Sequence, residues 1–493
     1  MKLKLFCVGL LLTIASIGFA QKVSSPSPEL DWQVMDVPNN VSITHGYEYA
    51  RSFDAGIIYI SESEAIAPVK FKKEFGLIKI NKNGQVAWNA EIPGEILGVS
   101  KFNNKALVFY DADWKENQNT RVSAQLIDLA SGRKLKEEVV YNINSYIDVR
   151  PINKPNGEFS CLMVRQTAHK KKHYFFGAKQ IELMSITEKL SVIQLTEDLK
   201  VAKETDIKSS ASTSPYLGSA INANGDLFIG SLSEGGIRIE KFNSAYSLIG
   251  KLDAPLDYGS KPYVDPVIGL DQTNDQTILV AMQFKQNKNR MHQFWSFQFN
   301  EKKVSTSPIE EISKEFGRNI VAVNNEKGKN IEVRYIDDLH PVSMISLKDK
   351  NIVLREIRYS KAASANVNST STLFCNDAIV ISFYDKNWKL LKHIGLEKDY
   401  HVFNNQLGHS LGFRIRNNKL LLLAGTITGL MKLGNILFEL DIDKMELTKS
   451  GLIDKGNLGG GYSVEAASTF WFDNSALLNQ VSGKGTSLQK IEW

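Results

Sequence analysis

The sequence predicts an all-β protein of the β-propeller class, built from four-stranded blades. The pattern is clearest between Pro215 and Pro255, where four short strand-like segments are separated by three tight turns. Asn224-Gly225 and Gly235-Gly236 supply the positive φ angles that hairpin turns require. About 40 residues is the size of one blade, and similar units precede and follow this one. Since a lone four-stranded sheet cannot cover its own faces, the units are expected to stack side by side.

Within this unit, strands are predicted at residues 216–222, 227–231, 237–240 and 247–252. The second segment is a continuous apolar run, which is typical of a strand covered on both faces. The third alternates apolar and charged residues, which is the period of a half-buried strand. These two patterns in neighbouring segments favour an antiparallel sheet over helices.

The other blades are assigned by the same pattern, to residues 42–94, 96–141, 146–207, 263–307, 341–394, 410–453 and the C-terminus. Residues 309–337 are expected to form an insert with a helical turn and a hairpin. An isolated strand at residues 29–37 is expected to complete the C-terminal blade, so that strands from both ends close the ring and remove an exposed edge. The count is then eight blades. Seven is the alternative, because boundaries of short strands are the least certain part of such an assignment.

Residues 1–20 are expected to be a secretory signal peptide. Lys2 and Lys4 precede an apolar run over residues 5–17, and a small-residue cleavage site ends at Ala20. The run is too short for a transmembrane helix, and Cys7 lies inside it, which disfavours a lipoprotein anchor. We therefore expect a mature chain of residues 21–493, forming a single propeller domain that is secreted or periplasmic.

Charge and cysteine content narrow the class of partner. Without Lys2 and Lys4, 57 of the 59 basic residues remain against 54 acidic residues, a balance of +3 that argues against nucleic acid as the main partner. Cys161 and Cys375 are the cysteines left after cleavage. An oxidising compartment permits a disulfide, but these two fall in the third and sixth blades. Two buried thiols are therefore expected.

One segment resembles a known repeat. In GLIKINKNGQVAWNAEIPG, residues 76–94, a strand, the Asn83-Gly84 turn and a strand containing Trp88 occur together. This resembles the repeat of propellers of the pyrroloquinoline-quinone-dehydrogenase type, and residues 126–139 are similar to it more weakly. The resemblance implies the fold, and no cofactor ligand is carried over, so no cofactor is expected. The signal peptide and the Lys- and Asn-rich composition resemble those of uncharacterised envelope propellers of the Bacteroidota.

The long connections are expected on one face of the disc, which we call the long-loop face; the opposite one is the short-turn face. Long loops are predicted at residues 62–73, 111–120, 166–189, 285–292 and 359–376. Because loops on a rigid scaffold carry binding residues, this face is expected to bind the ligand. The alternative is that they are tolerated surface insertions, since loop length costs little free energy.

Aromatic residues in these loops are candidates for ligand binding: Trp114, Tyr174, Phe175 and Phe176. Such rings stack on sugars or dock a protein, and equally often they fix a loop to its blade. His169 and His173 have a spacing that suits a metal on a helix. The three lysines between them would repel a cation, which favours a solvated basic loop able to contact an anionic glycan.

Two further motifs are weighed against their structural contexts. Asp111, Asp113 and Asn117 place three oxygen ligands in one loop, as calcium sites do, but the Gly and the bidentate Glu of an EF-hand are missing, so no metal is assigned. Residues 408–412, GHSLG, match a hydrolase nucleophile elbow. The residues that follow are strand-like and not helical, which favours the start of an innermost strand.

The sequence favours a monomeric binding or scaffold module at the cell envelope, with an envelope protein or glycan as partner. The alternative is an enzyme of the central channel, such as a glycan hydrolase or lyase; a quinone-dependent dehydrogenase ranks third. Propellers serve both binding and catalysis, so the fold does not decide. Catalytic groups would come from the starts of the innermost strands, where six candidates fall: His45, Asp148, Arg150, Asp265, His340 and His409.

Overall fold

A computed structural model describes residues 32–34, 57–71, 74–113, 120–143, 146–153, 159–175, 178–212, 216–233, 236–256, 265–271, 274–286, 289–320, 322–324, 336–362, 372–403, 411–427, 433–452, 463–464, 469–473, 475–482 and 485–492. These residues form eight antiparallel sheets of four or five strands, which follow one another along the chain. The expected signal peptide lies outside the described residues. Within the described part, no helix has the length and apolar character needed to span a bilayer.

The strands of sheets 1 to 4 have the following bounds. Sheet 1 contains β1 (Trp32–Val34), β2 (Ile58–Ser61), β3 (Glu64–Phe71), β4 (Glu74–Asn81) and β5 (Val86–Ile92). Sheet 2 contains β6 (Glu95–Phe102), β7 (Lys105–Asp111), β8 (Thr120–Asp128) and β9 (Lys134–Ile143). Sheet 3 contains β10 (Tyr146–Asn153), β11 (Phe159–Phe175), β12 (Ala178–Leu195) and β13 (Val201–Asp206). Sheet 4 contains β14 (Tyr216–Ile221), β15 (Leu227–Ser233), β16 (Gly236–Phe242) and β17 (Leu248–Pro255).

Sheets 5 to 8 complete the described strands. Sheet 5 contains β18 (Asp265–Asp271), β19 (Asn274–Gln286), β20 (Asn289–Gln298), β21 (Lys303–Thr306) and β22 (Glu310–Ile312). Sheet 6 contains β23 (Leu339–Ser346), β24 (Lys350–Ala362), β25 (Thr372–Asp385) and β26 (Leu390–Phe403). Sheet 7 contains β27 (Leu411–Arg416), β28 (Lys419–Ile427), β29 (Leu433–Asp441) and β30 (Glu446–Leu452). Sheet 8 contains β31 (Ser463–Val464), β32 (Phe470–Trp471), β33 (Ser475–Ser482) and β34 (Gly485–Glu492).

Sheet 4 is the unit from which the fold class was predicted. Its strands pair in sequence order, and its first turn is closed by a hydrogen bond from the Asn222 amide to the Asp226 carbonyl, 3.1 Å long. Gly225 and Gly236 have φ angles of 78° and 146°, which only glycine adopts without strain. The predicted four-stranded blade is confirmed here.

Each sheet packs its apolar face on the next. Buried clusters join each pair of consecutive sheets, and a further cluster with Ala65 and Phe470 joins sheet 1 to sheet 8. Tryptophans reinforce two junctions: Trp88 Nε1 donates to the Leu129 carbonyl at 3.0 Å, and Trp388 Nε1 donates to Ser296 Oγ at 2.8 Å. Four-stranded sheets packed face to face in chain order are the architecture of a β-propeller, as predicted. The blade number and ring closure by both termini stay predictions.

The N-terminal strand pairs differently from the expectation. Over its three described residues, β1 runs antiparallel to β3 of sheet 1, with Trp32 opposite Phe71, while sheet 8 has four strands of its own. The short β2 pairs only with residues 64–66 of β3. The backbone groups of residues 69–71, in the second half of β3, therefore remain to pair with β1. Pro68, which lacks an N–H, lies between these two partners and so interrupts neither ladder.

Three of the five predicted long loops are largely strand, and half of the fourth, residues 359–376, is strand. Residues 62–73 contain β3, and β11 and β12 continue as a hairpin until Phe175 faces Ala178. Similarly, β19 and β20 meet at Gln286 and Asn289, and residues 363–371 alone separate β24 from β25. Charged residues in these segments disguise the strand pattern, but an antiparallel partner satisfies the backbone while side chains project outward. These long hairpins project at the long-loop face.

The described parts of residues 309–338, namely 309–320, 322–324 and 336–338, lie between sheets 5 and 6 and are called the strap; an insert with a helical turn was predicted here. β22 pairs with β20, and α1 (Lys314–Arg318) follows, capped by Ser313 Oγ, which accepts from the Phe316 amide at 3.3 Å. Asn324 then pairs with the backbone of Glu397 in β26, through bonds of 2.8 and 3.0 Å. A 3₁₀ turn (Ile336–Asp338) leads into β23. The expected hairpin falls in residues 325–335, outside the described part.

Candidate functional site

Of the six predicted channel residues, His340 has a described side chain. Asp148 and Arg150 lie on β10, and Asp265 begins β18, so all three are on the first strands of their sheets, but their side chains fall outside the described part. His45 and His409 lie outside it entirely. His340 is half-buried on β23, opposite Glu356 of β24. The assignment of these residues to a catalytic channel stays a prediction.

Of the predicted aromatic and calcium candidates, only Asp111 and Asp113 have described side chains. Tyr174 and Phe175 end β11, their side chains are not described, and Trp114, Phe176 and Asn117 lie outside the described residues. Asp113 forms an ion pair with Arg121 at 3.1 Å, and its amide donates to Asp111 Oδ1 at 2.9 Å. Desolvation raises the pKa of Asp111. The carboxylate of Asp113 is thus already neutralised by a cation.

The two histidines of β11 lie on a strand, and not on the helix that a metal site with this spacing requires. His169 and His173 both lie on an extended strand, facing Met184 and Gln180 of β12. Residues four apart on a strand lie about 13 Å apart along its axis, whereas on a helix they lie about one turn apart. The helical metal spacing weighed from the sequence is therefore not realised.

Sheet 6 holds the polar networks that sequence reasoning missed. Its strands β24, β25 and β26 have 13 or 14 residues each and reach the long-loop face beyond the apolar core. Two networks, around Glu356 and His401, occupy the half of the sheet nearest that face, and a third, around Arg355, extends toward the opposite end; we name each by its central residue. Because they are built on paired strands, their geometry is fixed by the backbone.

The Glu356 network is buried on sheet 6. Glu356 Oε1 accepts from Asn376 Nδ2 at 2.9 Å and from Lys398 Nζ at 3.0 Å, and Glu356 Oε2 accepts from Arg358. The side chains of Glu356 and Lys398 are fully buried and that of Arg358 is 8% exposed. The described side chains of this network therefore bury two positive charges with one negative charge.

The ionisation of Glu356 follows from these contacts. Burial by itself would raise the pKa of Glu356, because it disfavours the charged form. The charges of Arg358 and Lys398, with hydrogen bonds from Asn376 and Lys398, outweigh burial and lower that pKa to about 2. Glu356 is thus a carboxylate at any physiological pH.

The His401 network lies at the end of sheet 6 that faces the long loops. Asp377 Oδ2 accepts from the Tyr359 hydroxyl at 3.0 Å, and Asp377 Oδ1 lies 2.6 Å from His401 Nε2. The Lys361 ammonium sits 4.8 Å from the centre of the Tyr359 ring. The His401 side chain is 41% exposed, whereas that of Asp377 is 12% exposed. A buried carboxylate thus orients an exposed imidazole beside an ammonium and an aromatic ring.

The Tyr359 hydroxyl is locked as a hydrogen-bond donor. Burial, the charge of Asp377 and the nearby Cys375, a fully buried thiol as predicted, raise the pKa of Tyr359. The phenol therefore stays protonated and holds Asp377 in place. Chemically, the network can bind anions through Lys361 and His401, or accept a proton on an imidazole oriented by a carboxylate.

The Arg355 network joins sheet 6 to the strap. The fully buried Arg355 donates to the Tyr384 hydroxyl and lies 2.8 Å from Glu310 Oε2, and Tyr384 in turn donates to Glu310 Oε1 at 2.5 Å. Its guanidinium stacks over Phe294 and Phe316, 5.0 and 5.6 Å from the ring centres. Burial acts to lower the pKa of Arg355, but the Glu310 and Tyr384 oxygens raise it overall. This network is structural.

His393 packs beneath the strap and predicts a pH-dependent stability. Its Nδ1 lies 2.8 Å from Ser382 Oγ, its ring meets Phe316 edge-on at 5.3 Å, and burial lowers the pKa of His393 from 6.5 to about 4. The unfolded chain then binds the proton first, so stability is lost as the pH falls from 6.5 towards 4, by up to about 3 kcal/mol. Urea unfolding at pH 7 and pH 5 measures this loss.

The variant His393→Asn removes the titrating ring and should flatten that pH dependence. Some slope remains, because burial also lowers the pKa of the fully buried His292 well below its usual value. A loss between pH 7 and pH 5 as large in the variant as in the unaltered protein would contradict the role of His393.

Known proteins resemble this chain only at the level of fold. No protein-family model matches it, and no curated protein matches it. Among solved structures, BamB from Moraxella catarrhalis is 10% identical with a TM-score of 0.42, covering 92% of this chain and 100% of that one. A family 25 polysaccharide lyase, an ulvan lyase bound to -[GlcA(1-4)Rha3S]-, is 9% identical with a TM-score of 0.40, covering 81% and 93%.

A third similar structure is the β-propeller domain of the Trilobed protease from Pyrococcus furiosus. It is 9% identical with a TM-score of 0.36, covering 81% of this chain and 96% of that one. At these values none of the three carries an argument about function. The fold class rests on the sheets and their packing.

Proposed function

We propose that the chain is a secreted or periplasmic binding module that contacts an envelope glycan through the His401 network. The observation that carries the proposal is the exposed His401 imidazole, fixed by Asp377 and placed beside Lys361 and the Tyr359 ring. Two cationic or ionisable donors next to an aromatic ring match the acidic groups and ring faces of an anionic sugar. An envelope protein with an acidic patch is the second partner of this chemistry.

The position of the network supports the same proposal. It lies on the long-loop face, where the hairpin β11–β12 also projects. The two further cations of the Glu356 network, Arg358 and Lys398, lie beneath the surface of the same half-sheet. Glu356 neutralises one of these two charges, so the network contributes a net charge of +1, whose field adds to that of Lys361 and favours an anionic ligand.

The test is binding of mature residues 21–493 to immobilised alginate, chondroitin sulfate and dextran. We expect binding to the two acidic polysaccharides and none to neutral dextran. The double variant Lys361→Ala/His401→Ala should weaken binding about tenfold or more, since charge-assisted contacts each contribute roughly 1 kcal/mol. Lys348→Ala, exposed in the short turn of the same sheet, is the charge-matched control and should bind normally. Equal binding by the double variant would contradict the proposal.

One observation favours the alternative, a glycan hydrolase or lyase. An imidazole hydrogen-bonded to a carboxylate is an arrangement that general-base catalysis uses. The same polysaccharides therefore serve as substrates: new reducing ends that appear with the unaltered protein and not with His401→Ala would assign catalysis. Binding without any cleavage would assign the module.

A further inference from the structure

Exposed aliphatic side chains recur at one structural position. Of the ten large apolar side chains exposed among the described residues, seven are the first or second residue of the last strand of a sheet. Their exposed fractions run from 36% to 53%. They occur in sheets 1, 2, 3, 4 and 6: Val86, Leu135, Val201, Leu248, Ile249, Leu390 and Leu391.

This position places them on one rim. Each last strand begins directly after the turn from the strand before it, so all of these residues lie at the short-turn face. The last strand is also the outermost of each sheet. Equivalent points on sheets that pack side by side lie at one level, and the seven residues therefore mark the outer rim of that face.

The same segments are strongly basic. In sheets 2 to 7 these segments are the residue before the outer strand (β9, β13, β17, β21, β26 or β30) and the first four residues of that strand. They contain three acidic residues, Glu137, Glu204 and Glu446, and eleven basic residues: Arg133, Lys134, Lys136, Lys200, Lys203, Lys251, Lys302, Lys303, Lys389, Lys392 and Lys449. Their balance is eleven less three, or +8, whereas the whole chain carries +5. The rest of the chain is therefore net negative.

Ordinary edge protection explains only half of this pattern. Lysines on outer strands prevent sheets of different molecules from pairing. Exposed leucine and isoleucine at the same places act in the opposite direction, because they promote association. Three of the lysines are held in ion pairs, Lys134 with Glu137, Lys136 with Asp198 and Lys392 with Glu446, and the segments remain strongly basic when these pairs are set aside. A surface that is both apolar and basic fits a ligand that has apolar groups beside negative charges.

We propose that the outer rim of the short-turn face binds the surface of a bilayer that contains anionic lipids. Aliphatic side chains enter the boundary between headgroups and acyl chains, while lysines contact the phosphates and extend their stems along it. A bilayer is flat, so it can touch points around one rim together, which a compact protein cannot. This site lies opposite the His401 network and leaves the long-loop face open to its ligand.

The test is flotation of mature residues 21–493 with vesicles of equimolar phosphatidylcholine and phosphatidylglycerol. We expect binding to these vesicles, weaker binding at high salt, and little binding to pure phosphatidylcholine. The variant Leu248→Ser/Ile249→Ser/Leu390→Ser/Leu391→Ser should lower the partition coefficient about tenfold or more. Because all four side chains are exposed, folding should be retained, which the thermal midpoint verifies.

The matched control is Val139→Ser/Ile309→Ser, two equally exposed aliphatic residues outside the rim, 50% and 43% exposed. It should bind vesicles normally, whereas Lys203→Glu/Lys251→Glu/Lys389→Glu should lose binding. Failure to float, or equal losses in rim and control variants, would overturn the proposal. The proposal would also be overturned if the protein bound heparin, kept that binding in the serine variant and did not bind vesicles. That outcome would assign a site for a soluble polyanion. If the unaltered protein were a dimer and the serine variant a monomer, the rim would be an interface between two copies of the chain, which also contradicts the proposal.

Discussion

Glu356→Gln should lower the free energy of unfolding by about 3–5 kcal/mol, which is the cost of leaving buried charges without their partner. Glutamine keeps the size of the side chain and can still accept from Asn376 and Lys398. It removes the negative charge that two buried cations, Arg358 and Lys398, contact. Urea unfolding at pH 7 measures the loss, provided that the transition is two-state.

The pH dependence separates charge from packing. The folded pKa of Glu356, about 2, is below its ordinary value of 4.5, so its stabilisation is present above pH 4.5 and lost as the pH falls towards 2. The difference between Glu356→Gln and the unaltered protein should therefore shrink over that range. Asp253→Asn is the control, because its ion pair with Arg238 is largely exposed and contributes less than about 1 kcal/mol. Equal effects of the two substitutions would contradict the account of the buried network.

The fold was predictable because its signals are local. In sheet 4 the turn residues demand positive φ angles, and the strands between them show their period within seven residues. The hairpin β11–β12 was missed for the same reason. The outer part of β11 is a strand because β12 pairs with it, and this pairing is not visible in the local sequence. Polar residues such as His169 and Lys170 also obscure the alternation that would mark a strand.

The networks of sheet 6 were not predictable from spacing. Glu356 meets partners that are 20 and 42 residues away in the chain, because β25 and β26 return beside β24. One local signal existed: Arg355, Glu356 and Arg358 follow the apolar run at residues 352–354 in the middle of β24. Charges at such positions are buried on both faces once neighbouring sheets pack on the strand, so each needs a partner. Only the register of three strands identifies those partners.

Arg355→Met should lower the free energy of unfolding by about 3 kcal/mol and loosen the strap. Methionine fills much of the space between Phe294 and Phe316, but Glu310 loses its ion-pair partner in a half-buried place, 16% exposed. Since Glu310 belongs to β22, the strap then carries an unpaired charge against sheet 6. Hydrogen exchange of the amides in residues 310–320 should become faster, which locates the effect.

The double variant Arg355→Met/Glu310→Gln distinguishes the ion pair from simple loss of packing. Glutamine leaves no charge behind and still accepts the Tyr384 hydrogen bond, so the double variant should cost roughly 1 kcal/mol, less than Arg355→Met alone. The strap amides should recover most of their protection. If the double variant were as unstable as the sum of the two single variants, Arg355 would act through its contacts with the aromatic rings. In that case the strap would be held by Phe316 and by the hydrogen bonds between the Asn324 side chain and the Glu397 backbone, and not by charge.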